Sequence, residues 1–360
     1  MKQKIPIQQQ QKTRLFFIDF LKAISITAVV SYHSLFLPKS TYVDSAFLLD
    51  VLFSPLRFCV PVLLTISFLL LEQGLSIDSP ISTISLIKKR YSRLAIPTLF
   101  WFSLVAALKL FTGNSISEIA IQIIQGEIFT GAYYLLILFQ LIPLYILLRD
   151  WLQNPRNLFL VILIQLGIFF VIYQSVLKGN NLLITGLLSL ERSPFIYWFI
   201  YAAIGGFLSK NLSGIVKISS FLPPAIKLAI ILGNFLMLLV EYNLLFPNHP
   251  GYKALEYVMI SCIFSPISFC LCFADLRENQ LPVWLLKLVK ILAKYSLGIF
   301  CINGILYLFF LFITTNIFNH TVFMFHHILF IKIASWIILI AISLALSILL
   351  NKIGLKKVVT

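Results

Sequence analysis

RLFFIDFLKAISITAVVSYHSLFLP, residues 14–38, is the stretch that decides the fold of this chain. From Leu15 to Leu37 it is long enough, at about 1.5 Å per residue, for a helix that crosses a hydrocarbon core of about 30 Å. We therefore predict a transmembrane helix. It contains Asp19, Lys22 and His33, although a charged side chain near the middle of a span costs about 2.5–3.5 kcal/mol on insertion scales. This cost indicates that the three side chains have partners or a function.

The spacing of the polar residues places them on one side of this helix. Lys22 and His33 differ by three helical turns plus roughly 20°, and Asp19, Ile26 and Val29 fall on the same face. About 16 Å of helix axis separates Lys22 from His33, so they would line one cleft from its two ends. In the alternative interpretation Asp19 and Lys22 pair at the cytoplasmic interface, Lys22 snorkels, and His33 lies near the outer headgroups.

The composition extends the membrane interpretation to the whole chain. Hydrophobic residues make up 60% and charged residues 11%, the mean hydropathy is +0.97, and an average soluble domain is about 25% charged. The net charge of +15 could indicate a nucleic-acid partner. The positions of the charges decide against that, because they cluster between apolar runs.

Apolar runs of about 20 residues predict an all-α, polytopic membrane protein with about ten transmembrane helices. With the N-terminus in the cytoplasm, most of the 28 Lys and Arg residues fall on the cytoplasmic side, so both termini are expected there. Anionic lipid is then the partner of the basic residues, and we expect a multi-pass protein of the inner (plasma) membrane. The predicted spans are 15–37, 47–71, 94–112, 131–149, 157–177, 193–209, 226–246, 254–274, 295–315 and 328–350.

We expect one transmembrane domain, residues 14–351, between two cytoplasmic tails. Residues 1–13 are polar and rich in Gln, which is typical of disorder, and no small-residue cleavage site follows them. Residues 352–360 would form the second tail. All five cysteines fall inside predicted spans without metal-type spacing, so we expect buried thiols and no metal site.

Two short phrases suggest a family. The phrase FIDFLKAISI contains Lys22, and His33 follows Lys22 after ten intervening residues. This arrangement resembles the opening of the acyltransferase 3 family of integral-membrane O-acyltransferases. That family usually has Arg where this chain has Lys22, and the change keeps the charge but loses the forked donor geometry. The pair Arg90 and Arg93, followed by Pro97, also matches the family pattern. From composition alone, the same two arginines are typical of ordinary positive-inside anchoring.

Two other family phrases are altered. The family's closing signature, Ser-x-Gly-x-Tyr-x-x-His, aligns with Ser296, Gly298, Phe300 and Asn303, so Tyr has become Phe and His has become Asn. Asn303 can still form hydrogen bonds but cannot shuttle a proton near neutral pH. A Ser-Gly phrase in the second span is replaced by Ser67 and a phenylalanine, and a close helix contact there is expected to differ.

The resemblance implies transfer of an acyl group, usually acetyl, from acyl-CoA (acetyl-CoA) as co-substrate to a hydroxyl of a surface polysaccharide or a lipid-linked glycan. His33 would be the general base and Lys22 would act on the same cleft as a second catalytic residue. Arg90 and Arg93 would bind the donor, because guanidinium groups suit phosphates. No bound cofactor is expected. Possible supporting residues are Asp19, Arg57, Glu241, Glu256, Ser296 and Asn303.

Two alternatives remain open from the sequence. In the first, the chain is a transporter or a flippase for a lipid-linked sugar, and Asp19, Lys22, Arg57 and His33 line its pathway. Against it stands the lack of an internal repeat. In the second, the chain is an inactive member of the family, because Phe68 and Asn303 depart from the family pattern.

Overall fold

The computed structural model describes residues 15–77, 83–178, 182–245, 253–318 and 327–360. Within these ranges the regular structure is helical and contains no strand, which confirms the all-α prediction. The tail predicted at residues 1–13 lies outside the described residues. The α-helices are α1 Phe16–Tyr32, α2 Val43–Phe53, α3 Cys59–Ile77, α4 Thr83–Phe111, α5 Ile116–Gln125, α6 Tyr133–Leu152, α7 Pro155–Lys178, α8 Leu182–Ser189, α9 Phe199–Lys210, α10 Leu212–Phe221, α11 Pro224–Leu245, α12 Ile260–Phe273, α13 Val283–Lys294, α14 Ser296–Phe318, α15 Ile328–Lys352 and α16 Lys356–Val359.

Eight helical segments of the described chain are long and apolar enough to cross a membrane. One of them, Val43–Leu75, joins α2, a 3₁₀ turn and most of α3. Where we predicted a straight span over residues 193–209, α9 and α10 form a pair bent by 82°, which would make a ninth span if counted as one. Helix α1 covers 17 residues, about 25 Å, so it falls short of a full crossing on its own.

Helix α1 ends at Tyr32, before the predicted end at Leu37, because side chains of α15 bind the carbonyl groups of its last turns. The Lys332 ammonium donates to the Ser31 carbonyl at 2.9 Å, and the Trp336 indole donates to the Thr27 carbonyl at 2.9 Å. A cation beside the free carbonyls of a helix C-terminus is favourable. The chain therefore leaves the helix directly at His33.

Helix α1 lies in the middle of the bundle. It contacts α3, α12, α13, α14 and α15, and Phe17, Leu21, Ile26 and Val30 are almost completely buried. Its neighbours are protein rather than lipid, which explains how one short helix can carry several ionisable side chains.

Helices α3 and α9 approach each other closely at Gly205. A Cβ atom on Gly205 would lie 2.4 Å from the Thr65 carbonyl oxygen and 2.9 Å from Phe68 Cβ. Small residues permit such backbone approach between membrane helices. The family resemblance predicts a glycine at position 68, where this chain has Phe68. The small residue at this helix contact is instead Gly205 of the facing helix α9.

A buried ion cluster joins α3, α6 and α9. The Glu72 side chain is fully buried and accepts two hydrogen bonds from the Arg149 guanidinium, at 2.8 and 2.9 Å. The Tyr145 hydroxyl donates to the same carboxylate at 2.8 Å, and the Lys210 ammonium lies 3.8 Å away. The carboxylate is therefore fully compensated within the bundle.

The segment predicted as a tail over residues 352–360 packs against the bundle. Val358 and Val359 are buried, and the Trp101 indole donates to the Val358 carbonyl at 3.2 Å. Helix α16 contacts α4, α14 and α15. The side chains of this segment therefore take part in the packing of the bundle.

Candidate active site

Two cavities of about 280 Å³ each lie along α1. We call them the Lys22 chamber, lined by Lys22 and Ile26, and the His33 chamber, lined by Val29 and His33. The face of α1 expected from the spacing is therefore the face that lines cavities. The single expected cleft is instead two chambers, and the Phe300 ring lines both of them.

The Lys22 chamber collects three cationic side chains from two helices. Arg90 and Arg93 of α4 line it together with Lys22, and Ser296 at the start of α14 lines it as well. The Arg90 guanidinium donates to the Leu70 carbonyl of α3 at 3.3 Å, whereas the Arg93 side chain is exposed. Three cations around one cavity are suited to a ligand with several phosphate charges.

The His33 chamber contains a second set of charges. Arg57 and Glu256, both predicted as supporting residues, line it, and the Glu256 carboxylate pairs with the Arg192 guanidinium. Lys332 and Asp50 line the same cavity. Hydroxyl-bearing rings complete its wall, from Tyr32, Tyr42, Tyr133, Tyr242, Tyr257 and Tyr307.

Asn303 fixes the orientation and the tautomer of His33. The Asn303 amide nitrogen donates to the Ile299 carbonyl at 2.6 Å and to the Phe300 carbonyl at 2.7 Å. Its amide oxygen therefore faces His33 Nδ1, with which it forms a hydrogen bond. An oxygen acceptor requires a proton on Nδ1, so Nε2 of the neutral ring carries the free lone pair. Asn303 is itself completely buried.

Phe300 forms the wall between the chambers. Its ring lies 5.1 Å from that of Tyr134, centroid to centroid. On the other side Gly131 adopts φ +96°, and a Cβ atom there would come within 3.0 Å of the ring. The Tyr134 hydroxyl is 3.2 Å from the Ser67 hydroxyl, and both side chains line the Lys22 chamber. The wall is thus packed tightly from α3, α6 and α14.

Two predicted supporting residues lie away from the chambers. Glu241 accepts hydrogen bonds from the backbone N–H groups of Ile260 and Ser261, at 2.7 and 2.8 Å, and from the hydroxyls of Ser261 and Tyr173. It caps the N-terminus of α12. Asp19 is buried in α1 and does not line either chamber.

Sequence reasoning missed three charged residues of the His33 chamber. Lys332 and Asp50 each fall inside a predicted span, and an ionisable residue within an apolar run is a signal that could have found them. Arg192 precedes a predicted span and carried no such signal. The tyrosines of the chamber are indistinguishable in sequence from interfacial tyrosines.

Comparison with protein families finds a match that covers nearly the whole chain. The acyltransferase 3 model, described as an acyltransferase domain, matches residues 15–352. Comparison with curated proteins found no match, and comparison with solved structures found none. The matched residues include α1 and all the side chains that line the two chambers except those of the C-terminal segment.

Proposed function

The chain belongs to the acyltransferase 3 family, and from this membership we propose that it is a membrane-embedded O-acyltransferase. It moves an acyl group, acetyl in the simplest case, from acyl-CoA to a hydroxyl of a surface polysaccharide or a lipid-linked glycan. The observation that carries this proposal is the pair of chambers that meet at Phe300, with three cations in one and an oriented His33 in the other.

The Lys22 chamber would hold the donor. Acyl-CoA is cytoplasmic and carries several phosphate charges, and the basic residues of the chain favour the cytoplasmic side for the segment that contains Arg90 and Arg93. Exposure of Arg93 suits first contact with the phosphates, and Lys22 lies deeper, beside the wall. The acyl thioester would reach Phe300 from this side.

The His33 chamber would hold the acceptor hydroxyl. That oxygen attacks the thioester carbonyl carbon as His33 Nε2 takes its proton, the carbon–sulfur bond breaks, and CoA leaves as the thiolate. The imidazolium then returns the proton, so that the products are the ester and the CoA thiol. The Asn303 amide oxygen accepts the hydrogen bond from His33 Nδ1–H throughout and so stabilises the imidazolium, as expected for the partner that orients a general base.

A variant of His33 tests this proposal. Inverted membrane vesicles that enclose a glycan or lipid-linked glycan fraction in their lumen are incubated with radiolabelled acetyl-CoA, and base-labile label on the acceptor is counted. General-base catalysis contributes about 10²- to 10⁴-fold in rate. The transfer rate of His33→Ala, at normal expression, should therefore fall below about a tenth of the parent rate. The control variant His327→Ala, at an exposed histidine, should retain the parent rate. Transfer by His33→Ala above a tenth would disprove this mechanism.

The donor assignment has its own test. Arg93→Ala should raise the KM for acetyl-CoA, because a guanidinium that would bind phosphate is lost. The control variant Lys88→Ala, at an exposed lysine of the same helix, should leave this KM unchanged. An unchanged KM in both Arg90→Ala and Arg93→Ala would leave these arginines with the anchoring role alone.

The proposed orientation puts both termini in the cytoplasm and the segment 38–46 outside. Single cysteines at the exposed positions 44 and 357, in a background without the native cysteines, should react with an impermeant reagent only at position 44 in intact cells. The reverse pattern would invert the orientation.

A flippase would move labelled lipid-linked sugar across the vesicle membrane without acetyl-CoA. The requirement for acetyl-CoA, rather than the effect of His33→Ala, therefore distinguishes a flippase from an acyltransferase.

A further inference from the structure

The His33 chamber contains more buried positive charge than its own carboxylates balance. Arg57, Arg192 and Lys332 line it, against Asp50 and Glu256. The charge of Glu256 is compensated by Arg192, with which it forms an ion pair. With neutral His33, one cation remains in excess within a cavity of about 280 Å³.

Arg57 is the first of two cations in the chamber that form no ion pair with a carboxylate of the described residues. Its side chain is 3% exposed, its Nη1 donates to the Tyr32 hydroxyl at 3.1 Å, and its Nε finds no hydrogen-bond partner in the part of the chain that the structure describes. Among the described residues no carboxylate forms an ion pair with it. Buried charges in proteins are normally paired, because removal of an ion from water is costly.

Two tyrosines hold the Arg57 guanidinium in place. Its central carbon lies 4.1 Å from the Tyr242 ring centroid and 5.0 Å from that of Tyr32. The Tyr32 hydroxyl in turn donates to the Phe53 carbonyl at 2.7 Å. These contacts fix the group in an orientation and compensate only part of its charge, since aromatic rings attract cations more weakly than carboxylates do.

Lys332 presents a second cation to the same cavity. Its ammonium donates to the Ser31 carbonyl and lies 4.3 Å from the Phe53 ring centroid. In the described part of the chain it too forms no ion pair with a carboxylate. Arg57 and Lys332 come from different helices and both border the space beside His33.

We propose that the His33 chamber selects an acceptor that carries an oxyanion, bound by the Arg57 guanidinium with support from Lys332, next to the hydroxyl that is acylated. This inference rests on the proposed function and specifies its substrate class. A carboxylate of an acidic sugar and a phosphate of a sugar phosphate share this chemistry, since a planar guanidinium binds either through two parallel hydrogen bonds. The chamber volume, just below the usual range of small-molecule sites, fits one sugar unit.

The test compares three acceptors on the purified full-length protein in lipid nanodiscs. They are methyl glucoside, methyl glucuronoside and methyl glucoside 6-phosphate, which differ at one carbon. Transfer from labelled acetyl-CoA gives kcat/KM for each, and equilibrium binding of each labelled sugar without acetyl-CoA gives a readout that needs no chemistry. The wild type should prefer one or both anionic acceptors to the neutral one by at least about tenfold, the effect expected for one charge-assisted hydrogen bond. The better anion identifies the source of the charge.

Variants assign the preference to its residues. Arg57→Gln should lower the ratio of anionic to neutral kcat/KM at least about tenfold, and Lys332→Gln should lower it less. The exposed Lys178→Gln should keep the wild-type ratio. If Arg57→Gln does not fold, Arg57→Lys should give a reduced preference for anions, because it retains the charge but not the planar pair of donors, and a wild-type ratio in both Arg57→Lys and Lys332→Gln would overturn the site.

The outcomes separate this inference from the proposed function. Equal use and equal binding of neutral and anionic sugars by the wild type, or an anion preference that survives in both Arg57→Gln and Lys332→Gln, would overturn the anion site. Selective binding of an anionic sugar that depends on Arg57, without transfer to any acceptor, would uphold the site and refute the acyltransfer reaction.

Discussion

Replacement of Asn303 by leucine tests how the site activates its base. Leucine has the same number and branching of side-chain heavy atoms as asparagine, and it removes the amide oxygen that accepts the His33 Nδ1–H bond. The amide's other two bonds go to carbonyls of α14 that already belong to the helix, so their loss should leave the helix intact. The substitution therefore isolates the contact between Asn303 and His33.

The magnitude follows from the change in charge during the reaction. In the proposed mechanism the imidazole is neutral in the ground state and carries the proton of the acceptor in the transition state, where the bond to Asn303 becomes charge-assisted. Hydrogen bonds to charged groups are worth about 1.5–3 kcal/mol. At about 1.4 kcal/mol per factor of ten, Asn303→Leu should lower kcat about 10- to 150-fold. Substrate KM values should change little, because Asn303 does not line either chamber.

A double-mutant cycle separates this role from a merely structural one. If Asn303 acts through His33, Asn303→Leu should cost nothing further in a His33→Ala background, and Asn303→Asp should keep most of the activity, because a carboxylate also accepts from Nδ1. The assay is vesicle transfer of labelled acetyl groups at equal protein abundance. Equal losses from Asn303→Leu in both backgrounds would refute the reasoning.

Three further variants test the chambers and the bundle. Lys22→Arg should be tolerated and Lys22→Ala should raise the KM for acetyl-CoA, measured in the same vesicle assay, because the positive charge is what a phosphate-rich donor needs. Gly205→Val should destabilise the fold by about 1–3 kcal/mol in thermal unfolding through overlap with α3, whereas Gly233→Val, which meets no atom within 4 Å, should not. Glu72→Ala should cost about 1–3 kcal/mol, because the Tyr145 hydroxyl and the partly exposed Arg149 guanidinium lose their buried acceptor. Glu278→Ala, in an ion pair that is nearly half exposed, should cost less than about 1 kcal/mol in the same measurement.

The helical architecture could be predicted from the sequence because apolar length alone determines whether a segment forms a membrane helix. The breaks were harder to predict. The bend between α9 and α10 falls at Asn211, just beyond the span predicted over residues 193–209, and the early end of α1 depends on Lys332 and Trp336 from the opposite end of the chain. Contacts of that kind are tertiary and leave no local pattern.

The chamber residues divide in the same way. The alignment of Lys22 and His33 on one face follows from helical periodicity, which is a local property. Arg57 and Glu256 could be named as candidates because charges in apolar surroundings are unusual. That Glu256 binds Arg192, and that Glu241 instead caps α12, depends on where separate helices meet.

The two residues that depart from the family pattern, Phe300 and Asn303, lie on one turn of α14 and are linked by their contacts. The Phe300 ring separates the chambers, and the Phe300 carbonyl holds the Asn303 amide, whose oxygen in turn holds His33. The Phe300 ring itself presents no hydroxyl to either chamber, and it lies one helical turn from Asn303. In the proposed mechanism, contact between donor and acceptor and orientation of the base would therefore depend on the same turn of α14.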